Sequence, residues 1–182
     1  MAPVERVALE GLARSGYERG RALQALGRAT LAIPIVAAMF ATCPSPHLAT
    51  LCGLLLFFGS AGLWWRGETY GRAVLPGAVA GLIPLAAAPL ASLVERIATV
   101  SCWQVCVSLC AATGILAGIV IGYTTLEHHR GRRAFALSAV AIALVVGAPG
   151  CAFAGILGVA GMLVGLGIVS VPLALRVPAT QS

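Results

Sequence analysis

The sequence predicts an all-α polytopic membrane protein, a six-helix transmembrane bundle with both termini in the cytoplasm. Three observations predict it. Hydrophobic residues make up 59% of the chain and charged residues only 10%, a mixture far from that of soluble domains and expected of a chain that crosses a bilayer repeatedly. Long apolar runs recur, separated by short turns or by short arginine-bearing loops. Glycine, at 22 of 182 residues, concentrates inside those runs, where small side chains let helix backbones approach.

Residues 1–28 are the one sizeable polar stretch, with Arg6, Arg14, Arg19, Arg21 and Arg28 set against Glu5, Glu10 and Glu18. Val4, Val7, Ala8 and Leu12, then Ala22, Leu23 and Leu26, recur at helical spacing. The spacing predicts one or two cytoplasmic amphipathic helices, with Gly16 and Gly20 as candidate breaks. Such a segment either lies on the inner leaflet or docks a soluble partner, and Val7, Leu12, Arg14, Leu23 and Leu26 are the candidate partner-binding residues.

The transmembrane domain is expected over residues 29–176, with a short cytoplasmic tail at 177–182. Its first run, Ala29 to Thr42, is shorter than the about 20 residues of a span and is expected to recruit the preceding turn, Arg28 snorkelling toward the headgroups. Phe40 to Cys43 loosely resembles a lipoprotein cleavage site, but the charged leader is long and Thr42 is a poor residue before the cysteine, so the run is read as a retained first helix.

Pro44 to His47 makes a tight turn, and Leu48 to Trp65 the second helix, ending in a tryptophan pair suited to the interface. Arg66 to Arg72 is a polar loop. Ala73 to Val94 is the third helix, and Pro76, Pro84 and Pro89 require it to kink. After a short connection at Glu95 to Thr99, the fourth helix runs from Ser101 to about Leu126. Glu127 to Arg133 is the most basic loop. Ala134 to Ala148 is the fifth helix, Pro149-Gly150 a sharp turn, and Cys151 or Ala152 to Leu175 the sixth helix. Arginine is frequent in every second connection and at both ends, so the positive-inside rule places both termini in the cytoplasm. The same distribution explains a net charge of +6 without nucleic-acid binding, because the arginines sit between apolar runs and form no basic patch interleaved with aromatics.

The fourth helix carries small residues at every fourth position: Cys102, Cys106, Cys110, Gly114, Gly118 and Gly122. Residues four apart stack on one helix face. A spacing of four exceeds 3.6, so the stripe drifts and its partner must follow it. Gly114, Gly118 and Gly122 form overlapping GxxxG units, while Gly77 with Gly81 and Gly161 with Gly165 supply one each. Their expected role is helix packing within one copy of the chain.

With this topology all six cysteines, Cys43, Cys52, Cys102, Cys106, Cys110 and Cys151, fall toward the outer face, which is oxidising in a bacterial envelope. Three readings stand open: small apolar packing residues, a redox- or metal-sensing cluster, and structural disulfides. Cys102, Cys106 and Cys110, with Cys151 or His47 as a further ligand, would suit zinc or copper(I), the candidate soft-metal cofactors. His128 and His129 lie in the inner loop and are read as solvated. The sequence contains no Walker loop, HExxH, GxSxG or dinucleotide fingerprint, and its cysteines are spaced CxxxC and not CxxC. No acid or base sits centrally in a helix, as ion-coupled pumps require. No enzyme is expected.

In this architecture, in CWQVCVSLC at 102–110 and in Cys151 with its following glycine-rich helix, the chain resembles the integral-membrane anti-sigma factors of the NrsF and CarR type. The resemblance implies that residues 1–28 hold a cytoplasmic extracytoplasmic-function sigma factor, and that an envelope signal acting on Cys102, Cys106, Cys110 or Cys151 releases it. The expected function is therefore a multi-pass inner-membrane negative regulator whose partners are the bilayer and a sigma factor, without direct nucleic-acid binding. A soft-metal or solute transporter and a structural membrane subunit are the alternatives.

Overall fold

A computed structural model describes residues 3–43, 45–97, 102–127, 131–152 and 155–175, with side chains described over 14–43, 45–67, 70–87, 89–94, 106–127, 131–152 and 155–168. His128, His129 and residues 176–182 lie outside the described residues, as do the side chains of Val7, Leu12 and Cys102. The described secondary structure is all helical: α1 (Pro3–Ala29), a 3-10 turn (Thr30–Ala32), α2 (Ile33–Thr42), α3 (Pro46–Arg66), α4 (Glu68–Gly71), α5 (Val74–Leu85), α6 (Ala87–Ile97), α7 (Cys102–Glu127), α8 (Arg132–Cys151) and α9 (Gly155–Leu175).

Five stretches within these helices are long and apolar enough to cross a membrane: Arg14–Thr42, Pro46–Arg66, Val74–Val94, Cys106–Glu127 and Arg132–Cys151. Gly155–Ile168 is a shorter apolar helix. The distribution of side chains is the reverse of a soluble core. Ala49, Ala73, Ala80, Ala117, Ala139 and Ala143 are fully buried. Leu51, Leu54, Leu55 and Phe58 on α3, and Leu75, Val79 and Leu82 on α5, form exposed apolar rows at helical spacing. Contiguous apolar surface of that kind requires an apolar surrounding, and small residues inside are what close membrane helix packing needs.

Two pairs of helices run side by side in the same direction. Along α5 and α8, a Cβ on Gly77 would meet the Ala139 carbonyl at 2.6 Å, one on Gly81 the Ala143 carbonyl at 2.8 Å, and one on Gly150 the Pro84 carbonyl at 2.5 Å. Along α7 and α9, a Cβ on Gly114 would meet the Met162 carbonyl at 2.7 Å and one on Gly165 the Ala111 carbonyl at 2.6 Å. These α7–α9 and α5–α8 interfaces are the broadest in the fold. On α7 the four-residue stripe is buried from Cys106 through Cys110, Gly114, Gly118 and Gly122, and a second row, Thr113, Ala117, Ile121 and Thr125, is buried beside it. Two adjacent rows keep a contact face toward the bundle as each drifts. Thr113 and Thr125 stay satisfied by donating to their own helix, to the Leu109 carbonyl at 2.8 Å and the Ile121 carbonyl at 2.6 Å, the local back-bonding open to threonine in a helix.

Three expectations are corrected. First, α1 is uninterrupted across Gly16 and Gly20; a helical glycine costs about 1 kcal/mol, which the rest of the helix and its packing on α3 absorb. Second, α8 continues through Pro149 to Cys151, and α9 begins at Gly155 and not at Cys151 or Ala152. In the last helical turn a proline forfeits one hydrogen bond without ending the helix, and Gly150 fits against Pro84 and Leu85 where a side chain would clash. The return is associated with Gly155, whose φ of 67° is a conformation glycine adopts freely. Third, the expected polar loop after α3 contains the helical turn α4, and Gly71 closes against the ring of Trp64. The short run Ala29–Thr42 recruits preceding residues as expected, since α1, the 3-10 turn and α2 follow one another without a break and the stretch long and apolar enough to cross a membrane is Arg14–Thr42. The third expected span is divided at Ala86: α5 ends at Leu85 and α6 restarts at Ala87, with Pro84 inside the one and Pro89 in the first turn of the other.

Candidate functional site

The described cysteines fall into two groups at helix ends. Cys43 caps α2, its N–H donating to the Met39 carbonyl at 2.9 Å and its thiol to the Ser45 carbonyl at 3.4 Å. Buried Cys52, two turns into α3, lies within electrostatic range of it. The second group draws on α7 and α8. Cys110, in the third turn of α7, and Cys151, the last residue of α8, are buried in one core cluster where the two helices pack together, and Cys106 lies one turn from Cys110 on the same buried row. Cys110 and Cys151 share one core cluster with Met162 of α9, whereas Cys106 packs in a smaller one with Ala91 of α6.

Local sequence explains the convergence. Gly147 admits the Met162 methyl and the Pro84 ring, Gly150 admits the Pro84–Leu85 backbone, and a Cβ on either would stand 2.5 Å from its neighbour. The end of α8 is thus fixed between α5 and α9, and Cys151 is completely buried facing α7. Cys43, Cys52, Cys110 and Cys151 are thiols. A pair of thiols on separate helices can close to a disulfide across the interface, which parallel side chains on one helix do with difficulty, and can also hold one thiophilic ion between them. Among the described residues no three of His, Cys, Asp and Glu converge as a metal site. His47 is exposed on the first turn of α3, and no described contact joins it to Cys110 or Cys151.

The remaining candidates lie elsewhere. Arg14 pairs with Glu18 at 3.3 Å on the exposed surface of α1, and Leu23 and Leu26 are exposed on the same helix at 71% and 49%. A Cβ on Gly161 would find only ordinary contact, 3.6 Å from the Val107 carbonyl. A further cluster escaped the sequence reading: Arg21 and Arg28 of α1 line one cavity with Trp64 of α3, and the Arg28 guanidinium lies 4.3 Å over the Trp64 ring. The signal was available, since Arg14, Arg21 and Arg28 recur every seven residues and therefore share a helix face.

Comparison with protein-family models, with curated proteins and with solved structures gives no match to this chain.

Proposed function

We propose that this chain is a multi-pass regulator of the bacterial inner membrane, a negative regulator of anti-sigma type, in which thiol chemistry at Cys110 and Cys151 controls what α1 holds. The burial of those two thiols in one cluster where α7 packs on α8 carries the reading. Six spans with both termini inside agree with the parallel pairs, because alternate spans of such a chain must run in the same direction, as α5 and α8 do, and α7 and α9. The reaction is exchange with an oxidised dithiol of the envelope: the pair closes to a disulfide, giving up two electrons and two protons, and the acceptor disulfide becomes two thiols.

The fold supplies a route from that pair to the cytoplasmic helix. The principal contacts of α7 are with α5, α6, α8 and α9. It is α8 that also packs on α3, and α3 that carries α1. A disulfide pulling the end of α8 toward α7 therefore acts on α1 through α3, as one of two helix packings separated by a few kcal/mol.

The test combines oxidation with co-purification of the full-length protein. A thiol-specific oxidant is expected to produce an intramolecular disulfide, seen as loss of maleimide labelling at the buried Cys110 and Cys151 when the oxidised protein is denatured before labelling, and to release a bound sigma factor. Cys110→Ser and Cys151→Ser should each abolish both effects while leaving the protein in the membrane. Normal release in either variant would sink the thiol mechanism, and recovery of no soluble partner under reducing conditions would sink the anti-sigma reading.

A further inference from the structure

The cavity between α1 and the end of α3 has a ligand chemistry of its own. It measures about 570 Å³, within the range of small-molecule sites. Tyr17, Arg21, Gln24 and Arg28 line it from α1, and Trp64 and Gly67 from α3 and the turn that follows. Arg21 is half-buried, and its guanidinium would stand 3.9 Å from a Cβ on Gly67. The Arg28 guanidinium carbon lies 4.3 Å over the Trp64 ring, a cation–π contact that leaves its N–H donors available to an anion. No described carboxylate pairs with Arg21 or Arg28.

A narrow apolar groove adjoins this cavity and shares Arg28 and Trp64 with it. Leu31, Ile35, Leu56 and Leu75 line the groove. Its one hydroxyl, on Ser60, donates to the Phe57 carbonyl at 2.9 Å and is thereby removed from competition. Depth also fits. Arg28 precedes Thr42 by 14 residues, about 21 Å of helix, so its side chain reaches the boundary of a core about 30 Å thick by extending toward the headgroups, and Trp64, Trp65 and Arg66 close α3 with the residue types that mark a membrane interface. Two cations at headgroup depth, opening onto a strip of leucine and isoleucine, match one amphiphile.

We propose that the joined cavity and groove bind one anionic phospholipid, its phosphate on Arg21 and Arg28 and an acyl chain along Leu31, Ile35, Leu56 and Leu75. Basic recesses at this depth between helices recognise anionic headgroups by charge and bidentate hydrogen bonding. The proposal rests on membrane residence and not on the regulator reading.

The experiment is native mass spectrometry of the full-length protein released from bilayers of equal phosphatidylglycerol and phosphatidylcholine. Phosphatidylglycerol should be retained roughly tenfold over phosphatidylcholine, and Arg21→Gln and Arg28→Gln should each weaken retention about fivefold. Leu31→Ser with Leu75→Ser, both at exposed positions, should weaken it with the arginines intact. Equal retention of the two lipids by the unaltered protein overturns the proposal without recourse to any variant. So does displacement of bound lipid by millimolar inorganic phosphate, which would make this a site for a soluble anion.

Discussion

Gly161 and Gly165 form one GxxxG motif, yet the structure gives them different duties. A Cβ on Gly165 would stand 2.6 Å from the Ala111 carbonyl, 2.9 Å from the Ile115 nitrogen and 3.1 Å from the Gly114 carbonyl carbon. All three are backbone atoms of α7, so no side chain can rotate away. Ordinary contact begins near 3.4 Å, and α7 and α9 must part locally by about 0.8 Å, a gap that forfeits a quarter to a half of the dispersion energy of each affected atom pair. Overpacking of this kind costs about 1–3 kcal/mol. At Gly161 the nearest atom would be 3.6 Å away, so alanine fits and its better helix propensity contributes up to about 1 kcal/mol in the other direction. Gly165→Ala should therefore lower the thermal unfolding midpoint of the detergent-solubilised protein by several degrees, while Gly161→Ala leaves it unchanged or raised. Equal losses in the two variants, or a larger loss at Gly161, would refute the α7–α9 register and the reasoning with it.

Two further outcomes follow from the same geometry. Trp64→Ala removes the cation–π stack on Arg28, worth about 0.5–2 kcal/mol, and should raise hydrogen–deuterium exchange over α1 with little change in the midpoint of the bundle; unchanged exchange would mean that α1 is held by other contacts. Leu116, 51% exposed near the middle of α7, should accept phenylalanine freely, whereas Leu116→Arg should impair membrane insertion by about 2.5–3.5 kcal/mol, measured as the fraction inserted in a translocation assay.

Five of the expected spans were legible as long apolar helices because hydropathy responds directly to the surrounding solvent, and the break at Ala86 in the third because proline always lacks its donor. The same proline rule misled at Pro149. Whether a proline ends a helix depends on what its last turn packs against, and Pro84 and Leu85 lie more than sixty residues away in sequence. The site was half legible. Four-residue spacing grouped Cys102, Cys106 and Cys110 on one helix, and topology added Cys151 from the same face. Cys110 and Cys151 do share one buried cluster while Cys106 lies in another, and neither spacing nor topology holds information about which of the three cysteines the end of α8 arrives beside. The equivalence of the GxxxG glycines failed for a related reason: spacing identifies a face, and only the partner's path shows which glycine on that face is pressed against backbone.

The parallel pairing of α5 with α8 has a consequence for how the protein is made. Gly77 emerges from the ribosome about sixty residues before Ala139, the residue it packs against. At the usual 5–20 residues per second, that interval lasts roughly 3–12 s. During it the small-residue face of α5 has no α8 to cover it and is borrowed by lipid or by the insertion machinery, so that completion of the bundle is an exchange of neighbours as well as an addition of helices.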